Sequence, residues 1–467
     1  MKVEQIYTGC LAQGAYYIES AGEVAIIDPL REVGPYISRA EKAGAKIKYI
    51  FETHFHADFV SGHLDLSRKT GAPIVYGPTA TPEFDAIIAT DGQEFKLGNV
   101  TIKVLHTPGH TLESSVYLLK DETGKDHAIF SGDTLFLGDV GRPDLAQKAG
   151  QHSAEDLAGM LYDSLMTKIM PLADDIIVYP AHGAGSACGK NMMKETIDTL
   201  GNQKKTNYAL KQPDKASFIK EVTDGLLPPP AYFPLNAALN KKGYESFDEV
   251  LNHGLKPLSP AELETLAETH NALVLDTRPN TEFYKSFIPQ SINIGLNGDF
   301  APWVGALIAD VKQPILLVTE PGKEEDAVTR LSRVGFDNIL GHLKRGFDSW
   351  IAAGKETDSV HRISAEEFSK TFKAGKSKVI DIRKETEYAA EHIEEAHNKP
   401  LAYINEWIKD IDPKEHFYLH CAGGYRSMIA ASILQARGYR NFTEIAGGFG
   451  AISKTSVPKT NFVCQSK

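Results

Sequence analysis

Cysteine is scarce in this chain. Four residues among 467, Cys10, Cys188, Cys421 and Cys464, are too few for a disulfide framework, and in a reducing compartment they are expected as free thiols that matter only through reactivity. Long apolar runs are missing too. No stretch approaches the roughly 18 residues that span a bilayer, which excludes a transmembrane helix. The opening residues Met1-Lys2-Val3-Glu4-Gln5 lack the apolar centre of a signal peptide, so the expected location is cytoplasmic, with no membrane partner. Positive charge is in deficit: 50 Lys and Arg face 61 Asp and Glu, a net charge of −11, which speaks against a nucleic-acid partner. What remains is 42% hydrophobic at a mean hydropathy of −0.25. That is the composition of ordinary globular domains, and the length implies several of them.

Within this composition the second half repeats itself. Leu273-Val-Leu-Asp276-Thr-Arg278 with Glu282 returns as Lys378-Val-Ile-Asp381-Ile-Arg383 with Glu387, Arg333-Val-Gly335 returns as Arg437-Gly438, and Gly346-Phe347 returns as Gly448-Phe449, at offsets of 102 to 105 residues. Two copies of one domain follow, each alternating short apolar strands with helical stretches, the pattern of a parallel sheet covered by helices.

The first half reads differently. Strand-like runs stand at Val24 to Ile27, Tyr49 to Glu52, Val100 to Leu105, Ala128 to Ser131 and Ile176 to Tyr179, and residues suited to metal binding follow four of the five, where loops leave strand ends. His54, His56 and Asp58 form H-x-H-x-D; His110 closes H-T-P-G-H, Asp133 lies in S-G-D-T, and His182 follows Tyr179-Pro-Ala. Imidazoles and carboxylates in this order are expected to converge on a metal. His63 and His106 fit local hydrogen bonding as well as function. The prolines of Leu226-Leu-Pro228-Pro229-Pro230-Ala-Tyr232-Phe233-Pro234 predict a stiff extended connector after a charged helical stretch.

These segments, with Gly138-Asp-Val-Gly-Arg142-Pro-Asp144, resemble the metallo-β-lactamase fold family and, more narrowly, its persulfide dioxygenase branch. The resemblance implies an αββα sandwich and one Fe(II) per chain held by His54, His110 and Asp133. Such a set leaves three coordination positions open, the facial arrangement suited to non-haem iron and dioxygen. His56, Asp58 and His182 would stand behind the ligands, orienting them or donating to substrate. Two-metal members of the pattern carry a further histidine after Asp58. Here that position is Phe59, which cannot coordinate. Glutathione-type members carry an acidic residue and a tyrosine after the counterpart of His182, where this chain has Gly183-Ala-Gly-Ser-Ala-Cys188. That loop predicts a thiol near the mouth of the site. Cys188 either carries a sulfane sulfur there or is a small cysteine packed at a helix start.

Near the C-terminus an apolar run, His416 to His420, leads into Cys421, Ala422, Gly423, Gly424, Tyr425, Arg426 and Ser427, then a helical stretch. A short glycine-bearing loop at a helix start can aim N–H groups at the sulfur and stabilise its anion. Arg426 can bind an anionic donor or acceptor. The loop, with Asp381, Arg383, Glu387 and His392-Ile393 upstream, resembles the active loop of rhodaneses. The first copy has Val318-Thr-Glu320-Pro-Gly322-Lys-Glu-Glu325-Asp326 there instead, without a nucleophile and with carboxylates that would repel an anionic sulfur. It is read as scaffold or dimer surface. Cys10 and Cys464 carry no motif.

The expected organisation is therefore an αββα metallo-β-lactamase-fold domain with its connector over 1–245, a degenerate rhodanese-like α/β domain over 256–356 and an active one over 360–467. The expected activity is oxidation of a low-molecular-weight thiol persulfide by dioxygen to sulfite and thiol, coupled to sulfur transfer at Cys421 giving thiosulfate, as in hydrogen sulfide detoxification. Family resemblance implies a homodimer or homotetramer. The thiol carrier and the direction of transfer stay open. Two rivals remain: a glyoxalase II-like zinc or di-metal thioester hydrolase, and a non-catalytic carrier of sulfane sulfur.

Overall fold

In the Gln13–Ser20 strand, Tyr16 and Ile18 face one side, Ala15 and Tyr17 face the other, and all four are buried. Glu23–Ile27 repeats the pattern, with Ala25 and Ile27 on one face and Val24 and Ile26 on the other. Strands apolar on both faces need a layer on each side, and the computed structural model, which describes residues 1–146 and 151–463, supplies them. Cys464 lies outside the described residues.

The chain divides into two compact units, Met1–Phe247 with Ser332–Gly335, and Asp248–Leu331 with Phe336–Lys467. In the first, a six-stranded sheet runs in the order Lys2–Thr8, Gln13–Ser20, Glu23–Ile27, Lys46–Phe51, Ile74–Tyr76, Ile87–Ile88. A second runs Asp198–Thr199, Ile177–Pro180, Asp126–Gly132, Ser115–Lys120, Val100–His106, Glu94–Leu97. Their facing sides share a core built on Tyr16, Phe51, Phe95, Tyr117 and Phe130. The outer side of the first sheet packs on the helices Gly34–Lys42 and His63–Thr70, and that of the second on Ala154–Ser164 and Lys215–Thr223. This is the αββα sandwich. All five sequence-predicted strands are present.

The proline-rich connector is corrected. Leu226 to Pro230 has no regular structure, but a helix, Phe233–Lys242, begins at the segment's end with Pro234 in its first turn, where a missing N–H is harmless. The helix packs into the first unit. Its Asn240, 1% exposed, donates to the carbonyls of His56 and Phe59 at 2.8 Å each and accepts from the Ser61 N–H at 2.8 Å.

The second unit contains the repeat as two all-parallel five-stranded sheets of identical order. The first runs Pro257–Leu258, Ile339–Leu343, Ile315–Val318, Leu273–Asp276, Ile292–Asn293. Its sister runs Arg362–Ile363, Phe442–Ile445, Phe417–His420, Val379–Asp381, His397–Asn398. Asp276 binds Arg278 through two close contacts, and Asp381 binds Arg383 in the same way. Arg278 lies over Phe347 and Arg383 over Phe449. A pair present with and without the cysteine belongs to the framework. Among the described residues no helix is long and apolar enough to cross a membrane.

Candidate metal centre and sulfur loop

Four strand ends of the first unit deliver the donor groups. His54 leaves the Lys46–Phe51 strand, His110 follows Val100–His106, Asp133 follows Asp126–Gly132, and His182 follows Ile177–Pro180. All four are 1% exposed. Donor atoms of His54, His110 and Asp133 lie within 4.8 Å of one another. Asp133 Oδ2 is 3.8 Å from His54 Nε2 and 3.4 Å from His110 Nε2, and this buried oxygen has no hydrogen-bond partner. A buried carboxylate oxygen left unpaired is expensive unless an ion completes it.

The remaining ring nitrogens of both histidines are engaged. His110 Nδ1 lies 2.9 Å from the Arg142 carbonyl, which can only accept, so Nε2 keeps its lone pair for the centre. Gly141 permits this approach, since a Cβ there would sit 2.0 Å from the Asp133 carbonyl. His54 Nδ1 is 3.0 Å from Thr53 Oγ1, whose hydroxyl donates to Asp28 at 2.9 Å. Burial and then the neighbouring His56 push the His54 pKa well below its ordinary value, so the ring is neutral and ready to coordinate. Burial raises the Asp133 carboxyl, but His182, His54 and His110 together pull it below the ordinary range. Two imidazoles that present Nε2 to the centre and an ionised carboxylate suit a divalent transition metal.

His182 stands between two carboxylates. Its Nδ1 is 2.8 Å from Asp133 Oδ1 and its Nε2 is 2.8 Å from Asp58 Oδ2. Burial lowers its pKa, but the two anions more than reverse that and raise it well above the ordinary value; Nδ1 is hydrogen-bonded to Asp133, while Nε2 has no hydrogen-bond partner. His56 has Nε2 3.1 Å from Asp28 Oδ1 and its ring 4.3 Å from that of Phe59, and a donor atom of His56 also lies within 4.8 Å of donor atoms of Asp58 and His182. Phe59, at the position after Asp58, is wholly buried.

The expectation of a thiol at the mouth is corrected. Cys188 is 1% exposed, and its sulfur lies within 4.8 Å of donor atoms of Asp133 and His182. No helix starts there. Asp139 holds the loop by accepting from the N–H groups of Lys190 and Asn191 at 2.6 Å, and the Arg142 N–H donates to the Cys188 carbonyl at 2.9 Å. Burial, then the charges of Asp58 and Asp133, push the Cys188 thiol well above its ordinary pKa. His63 is buried among Tyr76, Phe84 and Tyr244, and His106 Nε2 is 2.9 Å from the Leu112 carbonyl. Both have local structural surroundings.

Sequence reasoning passed over Asp28, Thr53 and Asn240. Asp28 follows the fifth apolar run, Val24 to Ile27, so the strand-end rule that picked out the other four applied to it as well. Beside His110 a cavity of about 310 Å³ is lined by Phe55, Glu113, Asp144, Phe233 and Lys241 among others. The helix misread as a connector forms one of its walls.

In the second unit, Cys421 follows the Phe417–His420 strand and is 1% exposed. The Gly424 N–H donates to its Sγ at 3.1 Å, and its thiol reaches Ser427 Oγ at 3.5 Å. N–H groups of Phe449 and Gly450 donate to the carbonyls of Cys421 and Ala422 at 2.6 and 2.9 Å, which turns the loop's carbonyls away from the sulfur. Arg426 is held by Glu387 through two contacts of 2.6 and 2.8 Å. This pair occurs only in the copy that has the cysteine. In its sister, Thr319 stands in place of Cys421 and Glu282 pairs with Lys285 at 2.9 Å.

Residues 8–182 match the Metallo-beta-lactamase superfamily, and residues 259–353 and 364–455 each match the Rhodanese-like domain. The chain belongs to the metallo-beta-lactamase superfamily and carries two rhodanese-like domains behind that fold. A solved metallo-beta-lactamase from Staphylococcus aureus subsp. aureus COL is 31% identical, with a TM-score of 0.64, over 74% of this chain and 99% of that one. The cytoplasmic hydroxyacylglutathione hydrolase of Arabidopsis thaliana is 32% identical over 178 residues, 37% of this chain and 65% of that protein. The hydroxyacylglutathione hydrolase of Tolumonas auensis is 33% identical over 172 residues, 36% of this chain and 60% of that protein. The match thus spans less than two thirds of either hydrolase.

Proposed function

We propose that the chain is a mononuclear Fe(II) persulfide dioxygenase with a sulfurtransferase centre at Cys421. His54, His110 and Asp133 would hold the iron, which when bound supplies the redox chemistry with dioxygen. The balance is R–S–SH + O₂ + H₂O → R–SH + SO₃²⁻ + 2H⁺. In this reading His182 holds its proton beside Asp133 and keeps that carboxylate oriented, Asp58 fixes His182 from behind, and the cavity beside His110 takes the body of the thiol. Cys188, buried against Asp133 with its thiol held protonated, lines the site without attacking the substrate. At Cys421, thiol plus R–S–SH gives Cys421–S–SH and R–SH, and sulfite then takes the outer sulfur to form thiosulfate, regenerating the thiol. The Gly424 N–H and the positive end of the following helix favour an anionic sulfur there.

The observation that carries the mononuclear reading is Phe59. Wholly buried at the position after Asp58, it offers no donor atom to a second ion. Oxygen-electrode assays of the iron-loaded protein against several low-molecular-weight persulfides test it, with sulfite and thiosulfate separated.

The curated relatives favour a second reading, a thioester hydrolase of the hydroxyacylglutathione type with two metals. It requires His182 to give up one carboxylate and bind metal. Thioester cleavage without oxygen uptake would select it.

A further inference from the structure

The copy without a nucleophile holds the loop of the copy that has one. Asn280 Nδ2 donates to the Gly424 carbonyl at 3.0 Å. The Tyr425 hydroxyl donates to the Gly295 carbonyl at 2.7 Å. The ring of Tyr425 lies on Gly298, where a Cβ would come within 2.4 Å of its Cζ. All three contacts join the first copy to the segment that carries the Gly424 N–H.

Gly424 adopts a left-handed φ of +102° and follows another glycine. Two adjacent glycines have little conformational preference of their own, so what fixes this backbone must come from outside it. The Gly424 carbonyl accepts from Asn280 Nδ2 at 3.0 Å and, more distantly, from the Met428 N–H of its own helix at 3.3 Å, while its N–H faces Cys421 Sγ. The position 105 residues later, Glu385, carries no donor. An amide that bonds the loop therefore stands only in the copy that faces it.

We propose that Asn280 is a positioning residue of the sulfur-transfer site, and that the degenerate copy serves the reaction by holding the Gly424 N–H on the Cys421 sulfur. The inference rests on the sulfurtransferase reading of Cys421. In the step concerned, the S–S bond of R–S–SH breaks, a new one forms between Cys421 Sγ and the outer sulfur, and the thiol proton leaves with R–S as R–SH. Charge that gathers on sulfur during this exchange is met by an N–H already in place.

The test uses the full chain with Asn280→Ala and Asn280→Asp, the second keeping the size but setting an acceptor against the Gly424 carbonyl. Two readouts are taken: transfer from a persulfide to sulfite, and the rate at which iodoacetamide alkylates Cys421, read at the peptide by mass spectrometry. Expected is a fall in kcat of about tenfold in both variants with KM for sulfite within about twofold, the scale of one misplaced hydrogen bond. Alkylation of Cys421 slows while that of Cys10 holds. Wild-type behaviour in both variants, or full retention by Asn280→Asp alone, overturns the proposal. Should either variant misfold, Gly298→Ala, which displaces the Tyr425 ring, is read in the same way. If the unaltered chain transfers no sulfur, the functional reading fails, while the alkylation rates still decide whether the clamp exists.

Discussion

Asn240 donates an amide hydrogen to the carbonyl of His56 at 2.8 Å, tying a helix some 180 residues downstream to the loop that presents His54. The same amide reaches the Phe59 carbonyl and its oxygen takes the Ser61 N–H. Asn240→Ala would leave three buried backbone groups without partners, a loss of about 1–3 kcal/mol for each group left unsatisfied. Chemical denaturation should show that loss. Metal affinity should fall by on the order of tenfold, because the ligand loop is no longer held in shape. An unchanged metal titration would mean that the helix merely packs.

Cys421→Ser removes the nucleophile and leaves every side chain of the first unit's site unaltered. Oxygen uptake with a persulfide should persist at the wild-type rate, while the product changes from thiosulfate to sulfite. Ion chromatography of the reaction mixture reads this directly.

Glu387 competes with any anion for Arg426. Neutralising it by Glu387→Gln should lower KM for sulfite several-fold, since a charge-assisted bidentate pair no longer has to be opened. Initial rates at varied sulfite check this. A raised KM would show that Glu387 orients Arg426 rather than withholding it.

His63 gives the first unit an acid limb. Burial, with His56, Arg31 and Arg68 nearby, pulls its pKa from 6.5 to about 3. The folded value lies below the unfolded one, so its contribution is complete above about pH 6.5 and is lost as pH falls toward 3. Between pH 7 and pH 5 the loss is about 2 kcal/mol. Thermal melts across this range should flatten in His63→Gln.

Much of the architecture was legible because its signals are local. Apolar runs followed at once by His54, Asp133 and His182 mark strand ends, and the ends of strands from the two facing sheets converge. The repeat was legible because both copies keep an Asp–Arg pair and a glycine at matching offsets. Phe233–Lys242 was hidden by its prolines, which argue for extension until the helix has begun; one in the first turn is then no obstacle. Asn240 carried no signal, since its role is a contact over about 180 residues. The depth of Cys188 was equally hidden: a loop of glycines, alanines and serines reads as surface, and only the anchor at Asp139 brings it inside. The degenerate copy reads as scaffold because its cysteine is missing, and its contacts with the Gly424 loop carried no signal because they join residues more than a hundred positions apart.

The most direct measurement is the metal content of protein loaded anaerobically, followed by dioxygen consumption per persulfide oxidised. The account predicts one iron per chain and one O₂ per persulfide, with sulfite formed in the Cys421→Ser background. Two zinc ions per chain, with thioester cleavage and no oxygen uptake, would contradict it.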